Sequence, residues 1–419
     1  MKSSVVGVLA AMFCSSLAFA ENWPGFRGPT GQGMCSESNL PTKWSATENV
    51  AWKTAIPGEG WSSPIVWDQR IFLTTATDGG VSCRVLCLDR KNGQILWNKE
   101  LFQQQLRRKE GRNSYATPTP CTDGQRVYAV FCDGSICALD FDGNVVWTNR
   151  DIRFYSQHGL GVSPILYQEL LIIPFDGSNE EGDKFIGWRK PWDKAVILAL
   201  DSKTGKEKWR GKRGLSRIAH VTPRPLTVDD RVQLISAAGD VIQGHDINTG
   251  ELIWTARAQG EGVVPSIVIG DGLVYAVSGF ERTTIRAVRP DGKGDVTRTH
   301  IAWEQTNQAP TEPSMLYVNG LLFVPNERGF LQCLDGKTGK VLWQQRVGGS
   351  YCASPVCSEG KIYLLSSTGA TLIFEAAAEF KPIAKNSIDE RCQASFAISD
   401  GQIFIRSEKN LFCIGKRRQ

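Results

Sequence analysis

An internal repeat constrains the fold of this chain more than any other feature. Four segments, LDRKNGQILW, LDSKTGKEKW, HDINTGELIW and LDGKTGKVLW, are near copies of one another, and a shorter copy reads LDFDGNVVW. A more degenerate copy, AVRPDGKGDVTRTHIAW, follows the third full copy. The six copies end, in chain order and at intervals of 40 to 62 residues, at Trp97, Trp147, Trp209, Trp254, Trp303 and Trp343. This period is typical of the four-stranded blades of a β-propeller.

Each copy has the local chemistry of a β-hairpin. An apolar strand ends at Asp, a turn follows, and a second strand carries the Trp. The turns contain a glycine where a positive φ is expected, a conformation that glycine adopts without strain. These glycines are Gly93, Gly143, Gly205, Gly250 and Gly339. Another hairpin precedes each copy, as in VIGDGLVYAVSG, so two hairpins make one four-stranded blade.

A second pattern counts the blades. Eight short segments, most with Pro beside a small or polar residue, are expected to open the innermost strands: Ser63-Pro64, Thr117-Pro118, Ser163-Pro164, Thr222-Pro223, Pro265-Ser266, Glu312-Pro313, Ser354-Pro355 and Ser395-Phe396. The chain ends one strand short of an eighth blade, and residues 49–56 around Trp52 have the spacing of that strand. The sequence therefore predicts an all-β fold, an eight-bladed β-propeller of four-stranded antiparallel blades, closed by an N-terminal strand in the last blade.

The repeated tryptophans are expected to be structural. A large indole on the outer strand packs one blade against the next, so we interpret these residues as blade-docking side chains rather than as a stacking platform for a ligand. They are Trp52, Trp97, Trp147, Trp209, Trp254, Trp303 and Trp343. Cys87, Cys333 and Cys413 occupy equivalent positions where Ala199 stands in another copy, which predicts a small buried apolar slot.

The first twenty residues have the layout of a signal peptide. Lys2 precedes an apolar run that ends at Phe13, and the segment closes on Ala18-Phe19-Ala20. We expect residues 1–20 to be removed and residues 21–419 to form a single propeller domain, with an insertion in blade 3 at about residues 176–194. The protein is then exported, to the periplasm or the extracellular space. No later stretch is apolar enough to predict a transmembrane segment.

Charge and motifs exclude several functions. The formal net charge of +5 is spread among many carboxylates, without the concentrated basic face of a nucleic-acid-binding protein. The sequence has no GxSxG, HExxH, GxxxxGK[ST], GxGxxG or CxxC motif, and only four histidines. His245 and His300 are expected to be packed or solvated. No metal site is predicted, because the acidic residues of the insertion lack the spacing of a calcium loop.

The repeat resembles the Trp-docking motif of the pyrroloquinoline quinone (PQQ) dehydrogenases, within the WD40/YVTN/quinoprotein-like superfamily. Non-enzymatic relatives such as the outer-membrane assembly lipoprotein BamB share this motif. The opening NWPGFRGPTGQG and the segment LPTKWSATENVAWKTAIPGEGWSSPIVW are similar to exported PQQ-like repeat proteins. The resemblance extends from Trp23 to Ile414, and its motifs are specific for fold rather than for function.

The chain departs from the dehydrogenases where their chemistry lies. Their cofactor pocket places the quinone between a Trp and a disulfide of adjacent cysteines, beside a calcium ion and a catalytic Asp. This chain has no Cys-Cys pair and lacks the long insertions that build that pocket. We therefore expect no cofactor and no catalytic residue, with PQQ as the alternative cofactor.

A binding site is expected at one mouth of the propeller channel. In blades of this strand order, the links between blades and the middle hairpin loops share one face, which carries the long segments 102–114, 149–161 and 176–194. We expect the residues before each inner strand, together with two tryptophans of the insertion, to form this recognition surface: Trp61, Tyr115, His158, His220, Glu312, Tyr351, Arg391, Trp188 and Trp192. The alternatives are that these aromatic side chains only plug the channel and that the insertion folds back as a lid.

Two functional interpretations follow. The first is a non-catalytic, scaffold-like protein, expected to be monomeric, that binds an envelope protein or a small ligand at the insertion-bearing face. The second is a PQQ-dependent dehydrogenase or another envelope enzyme that uses the same mouth. The first needs only the fold and the loops, whereas the second needs a catalytic group that the sequence does not reveal.

Overall fold

The structure is a computed structural model that describes residues 21–262 and 264–417. The predicted signal peptide lies outside the described residues. The chain before the first blade forms two strands, β1 (Met34–Cys35) and β2 (Val50–Ala55). Within the described residues no α-helix occurs, and a short 3-10 turn, Asp78–Gly80, lies in the first blade.

Eight antiparallel blades follow, each with its own sheet. Blades 1 and 2 contain β3 (Ile65–Trp67), β4 (Arg70–Thr77), β5 (Ser82–Asp89), β6 (Ile95–Gln103), β7 (Cys121–Thr122), β8 (Arg126–Val130), β9 (Ile136–Asp140) and β10 (Val145–Asn149). Blades 3 and 4 contain β11 (Ile165–Tyr167), β12 (Leu170–Phe175), β13 (Val196–Asp201), β14 (Glu207–Lys212), β15 (Arg224–Val228), β16 (Arg231–Ala238), β17 (Val241–Asp246) and β18 (Leu252–Arg257). The long connection between β12 and β13 is the insertion of blade 3.

The second half of the ring repeats this architecture. Blades 5 and 6 contain β19 (Val268–Gly270), β20 (Leu273–Ser278), β21 (Thr284–Val288), β22 (Gly294–Asp295), β23 (Ile301–Gln305), β24 (Leu316–Val318), β25 (Leu321–Pro325), β26 (Phe330–Asp335) and β27 (Val341–Arg346), of which β22 pairs with β18 of blade 4. Blades 7 and 8 contain β28 (Val356–Ser358), β29 (Lys361–Leu365), β30 (Ala370–Glu375), β31 (Pro382–Ser387), β32 (Ala397–Ser399), β33 (Gln402–Arg406) and β34 (Asn410–Ile414).

The ring closes as the sequence predicts. The N-terminal strand β2 pairs antiparallel with β34 and completes the last blade, in the order β2-β34-β33-β32. Trp52 lies opposite Cys413 in this pairing. Because both ends of the chain belong to one sheet, the hydrogen bonds between β2 and β34 join the N- and C-terminal parts of the chain within the last blade and close the ring. The eight-bladed β-propeller is therefore confirmed.

Six of the seven docking tryptophans contact the next blade. The indole N–H of Trp147 donates to the carbonyl oxygen of Ser202 at 2.9 Å, and the indole covers Gly205, whose φ is +70°. Trp52, Trp97, Trp303 and Trp343 make the same type of hydrogen bond to the following blade at 2.9 to 3.0 Å. Trp254 differs, since its N–H donates to Gln233 of its own blade and β22 covers its strand.

A ring of hydroxyl groups lies where the inner strands begin. Each blade contributes one Ser or Thr, two residues before its inner strand: Ser63, Thr119, Ser163, Thr222, Ser266, Ser314, Ser354 and Ser395. In seven of the eight steps the backbone N–H of one residue donates to the hydroxyl of the next blade at 2.9 to 3.2 Å. We call this set the hydroxyl ring. The ring corrects two of the predicted strand openings. The residues equivalent to Ser63 are Thr119 in blade 2 and Ser314 in blade 6, rather than Thr117 and Glu312.

The residues before β1 close the channel on the far side of the hydroxyl ring. This N-terminal plug, residues 23–33, exchanges backbone hydrogen bonds with β3 through Trp23 and Val66. Its other end accepts the N–H of Cys357 in blade 7 at the carbonyl of Gly33, at 2.8 Å. On the side that follows the hydroxyl ring, the plug contacts the inner strands of several blades, through Val66, Thr122, Ile269 and Cys357. The open mouth therefore lies on the opposite side, before the inner strands begin.

Candidate functional site: a channel closed at one end

The central channel forms a cavity of about 470 Å³. Its wall includes all eight members of the hydroxyl ring, and Phe26 of the N-terminal plug contributes to its lining. Residues of the loops Glu110–Asn113 and Phe280–Glu281 and of the blade 3 insertion surround the mouth. The volume lies within the range of pockets that hold a small ligand or a few side chains of a partner.

A second layer of wall residues lies two positions before the hydroxyl ring. Every blade contributes one residue to it, and all eight line the cavity: Trp61, Thr117, Gly161, His220, Val264, Glu312, Cys352 and Gln393. The spacing of two is the side-chain period of extended backbone, so residues two apart point to the same side. The inner-strand register therefore decides which side chains reach the channel.

The structure brings five of the nine predicted recognition residues to the cavity. Trp61, His158, His220, Glu312 and Trp188 line it. The other four do not contribute to the wall, and different local geometry explains each case. These are Tyr115, Tyr351, Arg391 and Trp192.

Tyr351 does not line the channel, because side chains alternate between the two faces of an extended strand. It lies one residue before Cys352, so it points away from the channel and packs in the core between blades 6 and 7, with 3% of its surface exposed. Tyr115 and Arg391 lie two residues before the second layer, farther out. The Tyr115 hydroxyl donates to the carbonyl of Arg107 at 2.8 Å, and the Arg391 guanidinium covers the Trp61 ring at 5.2 Å.

The insertion of blade 3 folds back over the mouth. Trp192 forms a backbone bridge with Ser216, and the carbonyl of Gly187 accepts the N–H of Ile218 at 2.7 Å. These bonds hold Trp188 beside His158, with ring centroids 6.0 Å apart and ring planes at 79°. The insertion thus acts as a partial lid that presents one indole to the cavity.

A buried ion pair fixes the base of this lid. The Asp176 carboxylate accepts two hydrogen bonds from the Arg213 guanidinium, at 2.7 and 2.8 Å. Both side chains are essentially inaccessible to solvent, so each charge depends on the other. Burial raises the pKa of Asp176, and the adjacent Arg213 opposes that shift.

Two histidines form one side of the wall. Their ring centroids lie 6.2 Å apart. His220 is buried, and neither ring nitrogen has a hydrogen-bond partner. Burial, with a smaller contribution from His158, lowers the pKa of His220 to about 3. The ring is therefore neutral at physiological pH, with one donor and one acceptor that the protein leaves unmatched.

Glu261 lies on the same side of the mouth. Burial raises its pKa to about 7, although Arg217 and Arg189 act in the opposite direction. Its Oε2 atom is buried without a hydrogen-bond partner. Such a carboxyl exchanges a proton near neutral pH, so its charge responds to whatever occupies the cavity.

Across the channel, Cys352 donates its S–H to Glu312 at 2.6 Å, and Arg112 also contacts this carboxylate. Burial raises the pKa of the Cys352 thiol above its usual value. A protonated thiol is a poor nucleophile, so this pair is suited to binding rather than to covalent catalysis.

The wall does not fit the quinone pocket of the dehydrogenases. The sequence contains no adjacent cysteines. Among residues 21–262 and 264–417, no three His, Cys, Asp or Glu side chains come together closely enough to hold a metal ion. The sulfur in the wall, Cys352, is instead hydrogen-bonded to Glu312. The donor set thus lacks both the disulfide and the calcium ligands that this cofactor uses.

Fold and site together define a PQQ-type repeat propeller, with docked blades around a channel that is closed at one end. Comparison with known families agrees. The model of the family described as outer membrane protein assembly factor BamB matches residues 47–294 and 281–379, so the chain belongs to this family.

Individual relatives support the assignment at low identity. BamB of Yersinia pestis is 23% identical over 309 residues, covering 71% of this chain and 68% of that protein. A lanthanide-dependent methanol dehydrogenase of Methylacidiphilum fumariolicum is 37% identical over 70 residues, only 15% of this chain and 12% of the enzyme.

Among solved structures, BamB of Moraxella catarrhalis superposes with a TM-score of 0.58 at 14% identity, covering 86% of this chain and 98% of that one. A quinohemoprotein alcohol dehydrogenase of Pseudomonas putida gives 0.63 at 11% identity, covering 95% and 81%. At these identities the likeness shows the fold alone. The chain therefore shares its fold with assembly factors and with quinoprotein propellers. In the part of the chain that the structure describes, no helix has the length and apolar character needed to span a bilayer.

Proposed function

We propose that this protein is a non-catalytic scaffold of the cell envelope that holds a segment of a partner protein in the mouth of its channel. The observation that carries the proposal is a cavity with a closed floor and a mouth that gathers aromatic and charged side chains of several blades. A dead-end cavity of this kind holds what enters it rather than passing it through. The family name, outer membrane protein assembly factor, supports the placement in the envelope.

The mouth has the composition of a protein-binding surface. Trp188 and Phe280 lie on its rim, and Phe280 is 49% exposed although it is a large apolar side chain. Exposed aromatic residues beside arginines are typical of the residues that contribute most to protein–protein affinity. Arg189 stacks on Trp188 at 4.6 Å, which keeps the indole ordered before a partner arrives.

The charges of the wall favour a basic side chain in the partner segment. Glu110, Glu261, Glu281 and Glu312 line the cavity, against only two arginines, Arg112 and Arg189. Glu312 is already paired with Arg112, whereas one oxygen of Glu261 has no partner. A Lys or Arg side chain that reaches Glu261 would keep this carboxyl ionised and pair with it.

A photo-crosslinking experiment tests this function. A benzophenone amino acid replaces Phe280 in one variant and Val145 in a control, which is 52% exposed on the outer strand of blade 2. Crosslinking in the intact cell envelope is expected to yield a discrete protein adduct from position 280 and none from position 145. Trp188→Ala should reduce the adduct several-fold. Equal adducts at both positions, or none at position 280, would contradict the proposal.

The proposed function needs no cofactor and takes the protein as a monomer. Titration of the purified protein with PQQ and calcium, followed by absorbance, should show no stoichiometric binding. Tight binding together with alcohol-dependent reduction of a dye would replace the scaffold proposal by a dehydrogenase.

A further inference from the structure

One inner strand breaks the pattern of the other seven. In each blade the first residue of the inner strand lies two positions after the hydroxyl ring, next to the N-terminal plug or the core. Seven of these residues are apolar and buried: Ile65, Cys121, Ile165, Val268, Leu316, Val356 and Ala397. The eighth is Arg224, which is only 6% exposed. A single cation in an otherwise apolar layer departs from the packing rule of the fold, and such departures occur at functional or strained sites.

The N-terminal plug brings a second arginine to the same place. Arg27 is completely buried, and its guanidinium donates to the carbonyl oxygens of Gln32 and Met315, at 2.9 and 2.6 Å. The Arg224 guanidinium packs against Gly31 of the plug, where it leaves no room for a β-carbon. Burial and, to a smaller extent, the nearby positive charge of Arg224 lower the pKa of Arg27 to about 9.

The backbone of the plug is shaped to hold Arg27 in this position. Arg27 has a φ of +65°, a left-handed conformation that is uncommon for a residue with a side chain. The carbonyl of Arg27 accepts the N–H of Gly33 at 2.9 Å, which closes the loop around the buried side chain. Strain of this kind persists only when the surroundings over-determine it, as they do at binding sites.

Neither guanidinium has a counter-charge in the described chain. Across residues 21–262 and 264–417, no Asp or Glu forms an ion pair with Arg27 or Arg224. Residues 1–20 contain no Asp or Glu that could supply one. Nε and Nη1 of Arg27 and Nε of Arg224 are buried without hydrogen-bond acceptors. Arginine keeps its proton in proteins, and buried charges are normally paired or fully hydrogen-bonded, so two neighbouring guanidinium groups with unmatched N–H donors favour a negative partner.

We propose that Arg27 and Arg224 bind one small monovalent anion of the size of chloride, which holds the N-terminal plug in the channel. A small ion suits the tight contact between Arg224 and Gly31 better than a phosphate or a lipid headgroup does. The anion neutralises one charge and accepts hydrogen bonds from the N–H groups that the protein leaves unmatched. This proposal is independent of the function proposed for the mouth.

Thermal unfolding of the full-length mature protein at constant ionic strength tests the site. Sodium chloride replaces sodium gluconate, whose anion is too large to enter, in tenfold steps from about 1 to 100 mM. Above the dissociation constant, each tenfold step should raise the melting temperature by about 2 °C, from the linkage of binding to folding and the unfolding entropy of a chain of about 400 residues. A melting temperature that does not respond to chloride would overturn the proposal.

Single variants separate binding from folding. Arg27→Met and Arg224→Met should each abolish the chloride response, whatever their stability in gluconate. Arg406→Met is the matched control, because Arg406 is equally buried but donates to oxygens of Ser62 and Thr74. It should lose stability and keep the chloride response. A response that survives in both Arg27→Met and Arg224→Met would place the anion elsewhere and refute the assignment.

Crystals of the unchanged protein grown with bromide give a second measurement that does not depend on any variant. An anomalous peak in contact with both guanidinium groups is expected. A well-ordered N-terminal plug without that peak would overturn the proposal.

Discussion

Replacing Gly205 by Ala should destabilise the propeller more than the same change at Gly360, because the indole of Trp147 packs closely on the turn at Gly205. Both glycines have a φ of +70°. A methyl group at Gly205 would lie 2.5 Å from the ring of Trp147, whereas at Gly360 it would meet nothing within 4 Å. The left-handed backbone alone costs an alanine about 1–2 kcal/mol. Overpacking against the indole should add about 1–3 kcal/mol at Gly205 only.

Urea denaturation followed by tryptophan fluorescence gives the free energy of unfolding of each variant. The penalty at Gly205 should fall to that at Gly360 when Trp147 is also replaced by Ala, because the clash then has no partner. Equal penalties for the two glycine variants in the wild-type background would refute the docking argument. So would a Gly205→Ala penalty that is unchanged by the loss of Trp147.

The remaining predictions concern the channel and its lid. Ser354→Ala removes the acceptor of a buried backbone N–H and should cost about 1–3 kcal/mol in the free energy of unfolding, whereas Ser266→Ala, whose hydroxyl accepts no ring hydrogen bond, should cost less. Asp176→Ala leaves Arg213 buried and unpaired and should cost about 3–5 kcal/mol, most of which an added Arg213→Met should restore. The folded state depresses the pKa of His220, so its contribution to stability is complete above pH 6.5 and is lost as the pH falls toward 3. Between pH 7.5 and 5.0 the wild type should lose about 2 kcal/mol more than His220→Leu, and equal losses in a denaturation series would contradict the assigned environment.

The prediction of the fold succeeded because the signals are local and repeated. Six of the hairpins carry their own Trp and five of these carry their own turn glycine, so several weak patterns reinforce one another. The closing strand was also predictable, since Trp52 repeats the spacing of the other copies. None of these inferences depends on knowing which blades face each other.

The lining of the channel mouth could be predicted less well because it depends on register. Trp61, His220 and Glu312 line the cavity because they lie two residues before the hydroxyl ring. Tyr351 lies one position out of this register, and a shift of one residue turns a side chain to the opposite face. Counting back two residues from Ser354, as from Ser63 to Trp61, gives Cys352 rather than Tyr351.

The sequence by itself determined the propeller, its eight blades and the way the ring closes, because these follow from a period that can be read along the chain. Only the tertiary structure decided that residues 23–33 plug the channel and that Arg27 meets Arg224, on the inner strand of blade 4. These two residues stand 197 positions apart and share no repeat. They are close in space because the closed ring arranges all eight inner strands around one channel, which the N-terminal plug enters. The lack of a counter-charge for these two buried arginines can therefore be recognised only in the complete tertiary structure.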